Sequence, residues 1–167
     1  MVRIIEVVPY NPDWANQYCL EAKRITSVLT GEIIEIHHIG STAIISTFSK
    51  PIIDILAIVR NISVVDRLND RMIEIGYRPM GEYGIEGRRF FVKGTDELRI
   101  CHLHTFQVGN LKIMEHLYIR DYLRANPNIA IQYSDLKRRL AQEYSQDIDK
   151  YMEGKNSFIT NVIQTAD

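Results

Sequence analysis

The feature that most constrains this chain is residues 51–59, PIIDILAIV, which are apolar on both faces of a strand except at Asp54. A strand with two apolar faces belongs in the middle of a sheet, covered on both sides. A carboxylate there is costly to bury unless it meets a cation or hydrogen-bond donors. Asp54 is therefore the first candidate for a functional residue.

A Gly-Ser pair, Gly40 and Ser41, ends the apolar strand that precedes this one. Glycine lets the backbone approach a ligand closely, and two successive amides can point at an oxygen anion. The carboxylate of Asp54, within reach of such a turn, can hold the divalent cation that accompanies a nucleotide phosphate. Thr42 offers a further hydroxyl, and Lys50 can neutralise a phosphate or pair with a surface acid. These residues predict a phosphate-handling turn.

Two histidines follow at alternate positions of another predicted strand, residues 98–106. Alternation places His102 and His104 on one face, and Cys101 and Leu103 on the other. The two imidazoles can bind a metal, donate to phosphate or act as general acid and base. A half-exposed sheet face without function is the alternative.

Neighbouring pairs of polar residues on two other strands must divide between the faces of the sheet. His37 and His38 point to opposite sides, and we expect His38, which adjoins the turn, to share a site with Ser41. Arg88 and Arg89 divide in the same way, and an arginine fork suits a phosphate. A solvated face is the alternative for the arginines.

The composition is that of one soluble globular domain of 167 residues. With 20 basic and 21 acidic residues, net charge −1, no global field favours nucleic acid or an anionic membrane. The basic run 137–139 is interpreted as a solvated helix face. Cys19 and Cys101 are isolated, which predicts buried thiols in a reducing cytoplasm. No P-loop and no nucleophile-elbow pattern is present in the sequence, and the oligomeric state stays open.

Periodicity predicts a single α+β domain, residues 1–167, with a mixed sheet and a helical C-terminal third. The predicted strands are 3–8, 33–39, 51–59, 77–80, 88–93 and 98–106, the last two antiparallel. The predicted helices are 12–29, 63–75, 111–124, 128–152 and about 156–163.

Six motifs occur in the order HIGST at 38–42, KPIIDI at 50–55, GRRFFxKG at 87–94, HLH at 102–104, RDYLRANP at 120–127 and YxxGKxxFI at 151–159. Together they resemble the GrpB family, whose related domains occur fused to dephospho-coenzyme A kinases. The resemblance implies a nucleotidyltransferase-like fold with the Gly-Ser turn at the nucleotide site. Asp54 then matches the first acid of an Asp-x-Asp pair, whereas the second position is Leu56.

Three hypotheses follow for the function. The first is a nucleotidyl or phosphoryl transferase that uses Mg²⁺, Mn²⁺ or Zn²⁺. The second, favoured by Leu56, is a non-catalytic module that binds a nucleotide or a coenzyme-A-like ligand. The third is a metal-dependent hydrolase, which leaves the Gly-Ser turn without a role.

The expected site residues fall into two groups. Catalysis and metal binding are assigned to Asp54, His102 and His104. Phosphate or nucleotide binding is assigned to His38, Gly40, Ser41, Thr42, Lys50, Arg88 and Arg89. We expect His38, Asp54, His102 and His104 to line one cleft.

Overall fold

The computed structural model describes residues 4–165, so Arg3, the first residue of the predicted strand 3–8, lies outside it. Within these residues five strands form one sheet: β1 (Ile33–Ile39), β2 (Ile53–Val59), β3 (Tyr77–Pro79), β4 (Arg88–Gly94) and β5 (Arg99–Gln107). Their order in the sheet is β1-β2-β5-β4-β3. In this part of the chain β2 and β5 are parallel, whereas the other neighbours are antiparallel. The predicted α+β class with a mixed sheet is confirmed.

Helices cover the sheet and form the C-terminal third. They are α1 (Asp13–Val28), α2 (Ile62–Arg67), α3 (Asn69–Glu74), α4 (Leu111–Ala125), α5 (Pro127–Glu143) and α6 (Ile148–Gln164). Within residues 4–165 none of them has the length and hydropathy of a membrane span.

Strand β2 lies between two apolar layers, as its pattern predicted. On one face Ile55 packs with α1, α2 and α3 through Ile25, Val65 and Met72. On the other face Leu56 packs with α4 through Ile113. The central position of β2 brings Asp54 into the interior of the sheet.

Helices α5 and α6 pack together against the segment that joins β1 to β2. The backbone N–H of Phe48 donates to the Ser134 hydroxyl at 2.7 Å. Ile44 of the same segment packs with Ala130 and Tyr133. The C-terminal helices therefore lie directly on the loop that carries the Gly-Ser turn.

One helix boundary in the C-terminal third differs from the predicted one. Periodicity predicted a helix over 128–152, but α5 and α6 divide that stretch at residues 144–147. The side chain of Asp147 accepts a hydrogen bond from the Lys150 amide at 3.1 Å and so begins a new helix. The apolar spacing continues across the break because both helices face one core. Because α6 begins at Ile148, Gly154 lies inside this helix and not between two helices.

Two predictions nearer the N-terminus also change. The predicted helix 63–75 divides into α2 and α3 at Leu68, whose ψ of 7° interrupts the helix. The strand predicted over 3–8 is wrong in the described part, where Val8 forms an isolated bridge with Ser49. That single bridge still ties the N-terminal segment to the loop between β1 and β2.

Candidate functional site

The Gly-Ser turn lies directly against the carboxylate of Asp54. Gly40 has φ 72° and ψ −172°, a conformation that is essentially restricted to glycine. A Cβ atom at this position would lie 2.7 Å from Asp54 Oδ2. Residues Ser41–Ala43 continue as one 3₁₀ turn, in which the Ala43 amide donates to the Gly40 carbonyl at 3.1 Å. The absent side chain is therefore what allows the turn and the carboxylate to meet.

Two histidines and two arginines orient the other oxygen of Asp54. Asp54 Oδ1 lies 3.5 Å from His102 Nδ1 and 3.4 Å from His104 Nε2. The second ring nitrogens face Arg99 Nη1 at 3.4 Å and Arg88 Nη1 at 3.3 Å. Since a guanidinium can only donate, these nitrogens accept, and the nitrogens that face Asp54 carry the protons. Each imidazole then bridges an arginine to the carboxylate.

The network keeps Asp54 ionised although it is half-buried. Burial by itself would raise the pKa of this carboxyl, but hydrogen bonds from His102 and His104 hold it well below its usual range. Burial lowers the pKa of His102 against the attraction of Asp54. The ring of Phe90 lies 5.2 Å from each imidazole and limits their movement. The result is a fixed carboxylate whose Oδ2 faces the Gly40 turn.

This donor set fits a cation that arrives with a phosphate better than it fits a resident metal centre. Within residues 4–165 no group of three His, Cys, Asp or Glu side chains is arranged to hold a metal ion. Both ring nitrogens of His102 and His104 already have partners, so the geometry does not favour them as ligands. Mg²⁺, in contrast, commonly takes one or two carboxylates together with substrate phosphates. Asp54 would be the protein ligand in that arrangement.

The strand register separates the two arginines of the GRRFFxKG motif. Arg88 lies on the face of Asp54, where its guanidinium also donates to the carbonyl of Tyr83 at 2.7 Å. Arg89 lies on the opposite face and pairs with Asp66 of α2 at 2.6 Å. Of the two predicted phosphate ligands, the structure brings Arg88 alone to the candidate site.

The expectation that His38 lines one cleft with Asp54 is wrong. Antiparallel pairing sets His38 opposite Ile55 and His37 opposite Leu56, so His37 shares the face of Asp54. His38 stacks on Tyr18 at 4.8 Å on the other face. Its Nε2 lies 2.9 Å from the hydroxyl oxygen of Thr42, which ties His38 to the underside of the turn.

Helix α4 holds the turn from the other side. Arg124 Nε donates to the carbonyl of Ala43 at 3.0 Å. Arg120 donates to the carbonyl of His38 at 3.3 Å and faces His37 Nδ1 at 3.4 Å. The turn is thus held by hydrogen bonds to backbone carbonyls on both sides of it.

Two residues of α5 that sequence reasoning did not assign to the site lie beside the turn. The Tyr133 phenol is buried, which raises its pKa, whereas interaction with the Ser41 side chain lowers it. Lys137 is 2% exposed, and burial lowers the pKa of its ammonium to about 6. The interpretation of 137–139 as a solvated face is therefore wrong for Lys137. The signal that finds it is the spacing of four from Tyr133, which sets both residues on one helix face.

Solved structures define the class of fold to which this architecture belongs. The chain matches the Cid1 poly(U) polymerase, solved with Mg and 3'-dATP bound, with a TM-score of 0.56 at 10% identity. The match covers 81% of this chain and 43% of the polymerase. At this identity the likeness shows the fold, which is nucleotidyltransferase-like.

The particular family is set by closer matches. The conserved protein GrpB from Enterococcus faecalis superposes with a TM-score of 0.92 and 42% identity, over 96% of both chains. Residues 4–165 match the family described as GrpB protein. This chain belongs to the GrpB family, as its motifs predicted.

Sequence relatives include proteins of different lengths. YqkA of Bacillus subtilis is 44% identical over 164 residues. The match covers 98% of this chain but only about half, 48%, of YqkA. The glutamate-rich protein GrpB of Alkalihalophilus pseudofirmus is 31% identical, with 94% of this chain and 92% of that protein covered. A dephospho-CoA kinase of Mycobacterium leprae is 22% identical over 96% of this chain and 46% of the kinase. The predicted relation to such kinases is confirmed.

Proposed function

We propose that this GrpB protein binds a nucleotide through its phosphates at Gly40 and Ser41, with Mg²⁺ or Mn²⁺ between the phosphates and Asp54. The observation that carries the proposal is the contact of the Gly40 turn with Asp54 Oδ2. A phosphate bound to the turn amides would face an ionised carboxylate, so a divalent cation has to separate the two anions. The Mg and 3'-dATP bound to the similarly folded Cid1 support this assignment.

The surrounding polar residues act mainly on Asp54. Arg88 donates to the carbonyls of Glu82 and Tyr83 and faces His104, so its guanidinium nitrogens all have protein partners. We assign Arg88 the orientation of His104 rather than direct contact with the ligand. Arg99 faces His102 in the same way, and we assign it the orientation of His102.

Binding is favoured over two-metal phosphoryl transfer. The position of a second acid is Leu56, which is fully buried against α4. Two-metal sites need carboxylates that can bridge both ions. A transferase that uses one cation is the second candidate function, because Asp54 would be the single carboxylate ligand of that cation and His102 and His104 hold it in place. A hydrolase built on histidine-bound metal has less support, since both imidazoles are already hydrogen-bonded.

Thermal unfolding with ATP, UTP, GTP or coenzyme A, each with Mg²⁺, Mn²⁺ or EDTA, tests the proposal. A nucleotide at 100 times its Kd adds ~2.7 kcal/mol of stability, or roughly 5–10 °C in Tm. We expect a cation-dependent shift in the wild type that Asp54→Asn loses. Asp66→Asn is the matched control, because its carboxylate pairs with Arg89 on the opposite face of the sheet.

The outcomes separate the candidate functions. A Tm that no nucleotide moves would contradict nucleotide binding altogether. A shift that persists in EDTA and in Asp54→Asn would remove the cation and Asp54 from the site. If a nucleotide binds, product formation by the wild type and none by Asp54→Asn would select the transferase over the binding module.

A further inference from the structure

The buried lysine of α5 has an environment that the fold alone does not explain. Lys137 is 2% exposed, and within residues 4–165 its ammonium nitrogen has no hydrogen-bond partner. Lysine carries three N–H donors, and a buried ammonium without acceptors is costly. The nitrogen lies 4.6 Å from the centre of the Tyr133 ring, a contact that attracts the charge but accepts no directed hydrogen bond.

Two other lysines lie close enough to repel this ammonium. Besides burial, the charges of Lys155 and Lys50 lower the pKa of Lys137, whereas the charge of Asp54 raises it. The Lys50 ammonium lies 5.2 Å from the centre of the Tyr151 ring. The three lysine side chains therefore lie within electrostatic range of one another and of Asp54.

The packing of α6 on α5 brings these lysines together. A Cβ at Gly154 would lie 2.7 Å from Leu140 Cδ2, so glycine permits a close approach of the helices next to Lys155. Four residues after Gly154, Phe158 stacks on Tyr133 with ring centres 5.0 Å apart. In the YxxGKxxF motif, the Tyr151 ring lies next to the Lys50 ammonium and Gly154 permits the close helix contact. Lys155 follows, and Phe158 stacks on Tyr133.

We propose that Lys137, Lys155 and Lys50 form a polyphosphate subsite that holds the distal phosphates of a nucleoside di- or triphosphate. The proximal phosphate would lie at the Gly40 turn, where Tyr133 of α5 interacts with the side chain of Ser41. The inference rests on the proposed function and adds the ligand class to it. Phosphate oxygens would supply the acceptors that the Lys137 ammonium lacks.

Calorimetric titration of the full chain with ATP, AMP and inorganic tripolyphosphate tests the subsite. Lys137→Met keeps an unbranched apolar side chain and removes the charge. We expect it to weaken ATP and tripolyphosphate binding ~10- to 100-fold and AMP binding by about twofold or less. Arg139→Met is the matched control, because Arg139 is an exposed cation of the same basic run. Lys155→Met, on the other helix, is the second variant and should also weaken ATP binding.

The melting temperature of ligand-free Lys137→Met provides an independent readout. It should equal or exceed that of the wild type, since the variant removes a buried amino group that lacks hydrogen-bond partners. Unchanged ATP and tripolyphosphate affinity in Lys137→Met and Lys155→Met would overturn the subsite. Equal weakening of AMP and ATP would overturn it too, because the lysines would then support the turn. If ATP binding survives both lysine variants but is lost in Asp54→Asn, the subsite fails while the proposed function stands.

Discussion

The substitution Gly40→Ala tests the contact on which the candidate site depends. The new methyl group would lie 2.7 Å from Asp54 Oδ2 and 3.1 Å from Asp54 Cβ. Neither atom can move far, because Oδ1 of the same carboxylate faces His102 and His104. Gly31→Ala is the matched control, since Gly31 also has a positive φ, 88°, but has nothing within 4 Å of the new Cβ.

The two substitutions differ in the free energy that they should cost. A non-glycine residue in the backbone conformation of Gly40 costs about 1–3 kcal/mol. Displacing the Asp54 carboxylate also weakens its charge-assisted hydrogen bonds, each worth about 1.5–3 kcal/mol. We therefore expect Gly40→Ala to lower the free energy of unfolding by ~3 kcal/mol or more. Gly31→Ala should cost only the backbone contribution, ~1–2 kcal/mol.

Urea unfolding followed by the fluorescence of Trp14, the single and buried tryptophan, measures these differences. A double-mutant cycle with Asp54→Ala isolates the steric contact from the backbone contribution. In the Asp54→Ala background, Gly40→Ala should cost at least ~1 kcal/mol less than in the wild type. Equal costs for Gly40→Ala and Gly31→Ala, or an absence of coupling to Asp54, would refute the proposed contact.

Two further predictions concern stability. Burial lowers the pKa of His38 and of His116 to about 4, so between about pH 6.5 and 4 the unfolded chain binds protons that the folded chain does not. The free energy of unfolding should therefore fall as pH decreases through this range, and a flat profile in urea titrations would contradict both shifts. Ser46 adopts φ 66°, a left-handed conformation that favours glycine. Ser46→Gly should raise the free energy of unfolding by ~1 kcal/mol in the same assay, and a loss of stability would argue against strain at this residue.

The sequence was sufficient to predict the central strand and the faces of single strands. Asp54 interrupts a pattern that is apolar on both faces, and such a pattern occurs where two layers cover a strand. Alternation likewise predicted that His102 and His104 share a face. Both predictions hold because they depend on the geometry of one strand alone.

The predictions that were wrong depend on how one strand pairs with its neighbour. Alternation establishes that His37 and His38 oppose each other, but the register of β1 on β2 decides which of them shares the face of Asp54. The same limit applies to Arg88 and Arg89, whose faces follow from the pairing of β4 with β5. Lys137 was missed for another reason. A run of three cations resembles a solvated face, and only the spacing of four residues from the buried Tyr133 indicates that Lys137 lies on the buried face of α5.

The parallel pairing of β2 with β5 also has a consequence for how the protein folds. Asp54 and His102 meet across this pair, and the chain between them contains α2, α3, β3 and β4. Parallel neighbours need such a crossover, and contacts distant in sequence form slowly. The contacts of Asp54 with His102 and His104 therefore exist only when β2 and β5 are paired. Any opening that separates the two central strands abolishes the site, so a ligand bound there should slow hydrogen exchange throughout the sheet rather than only in the turn.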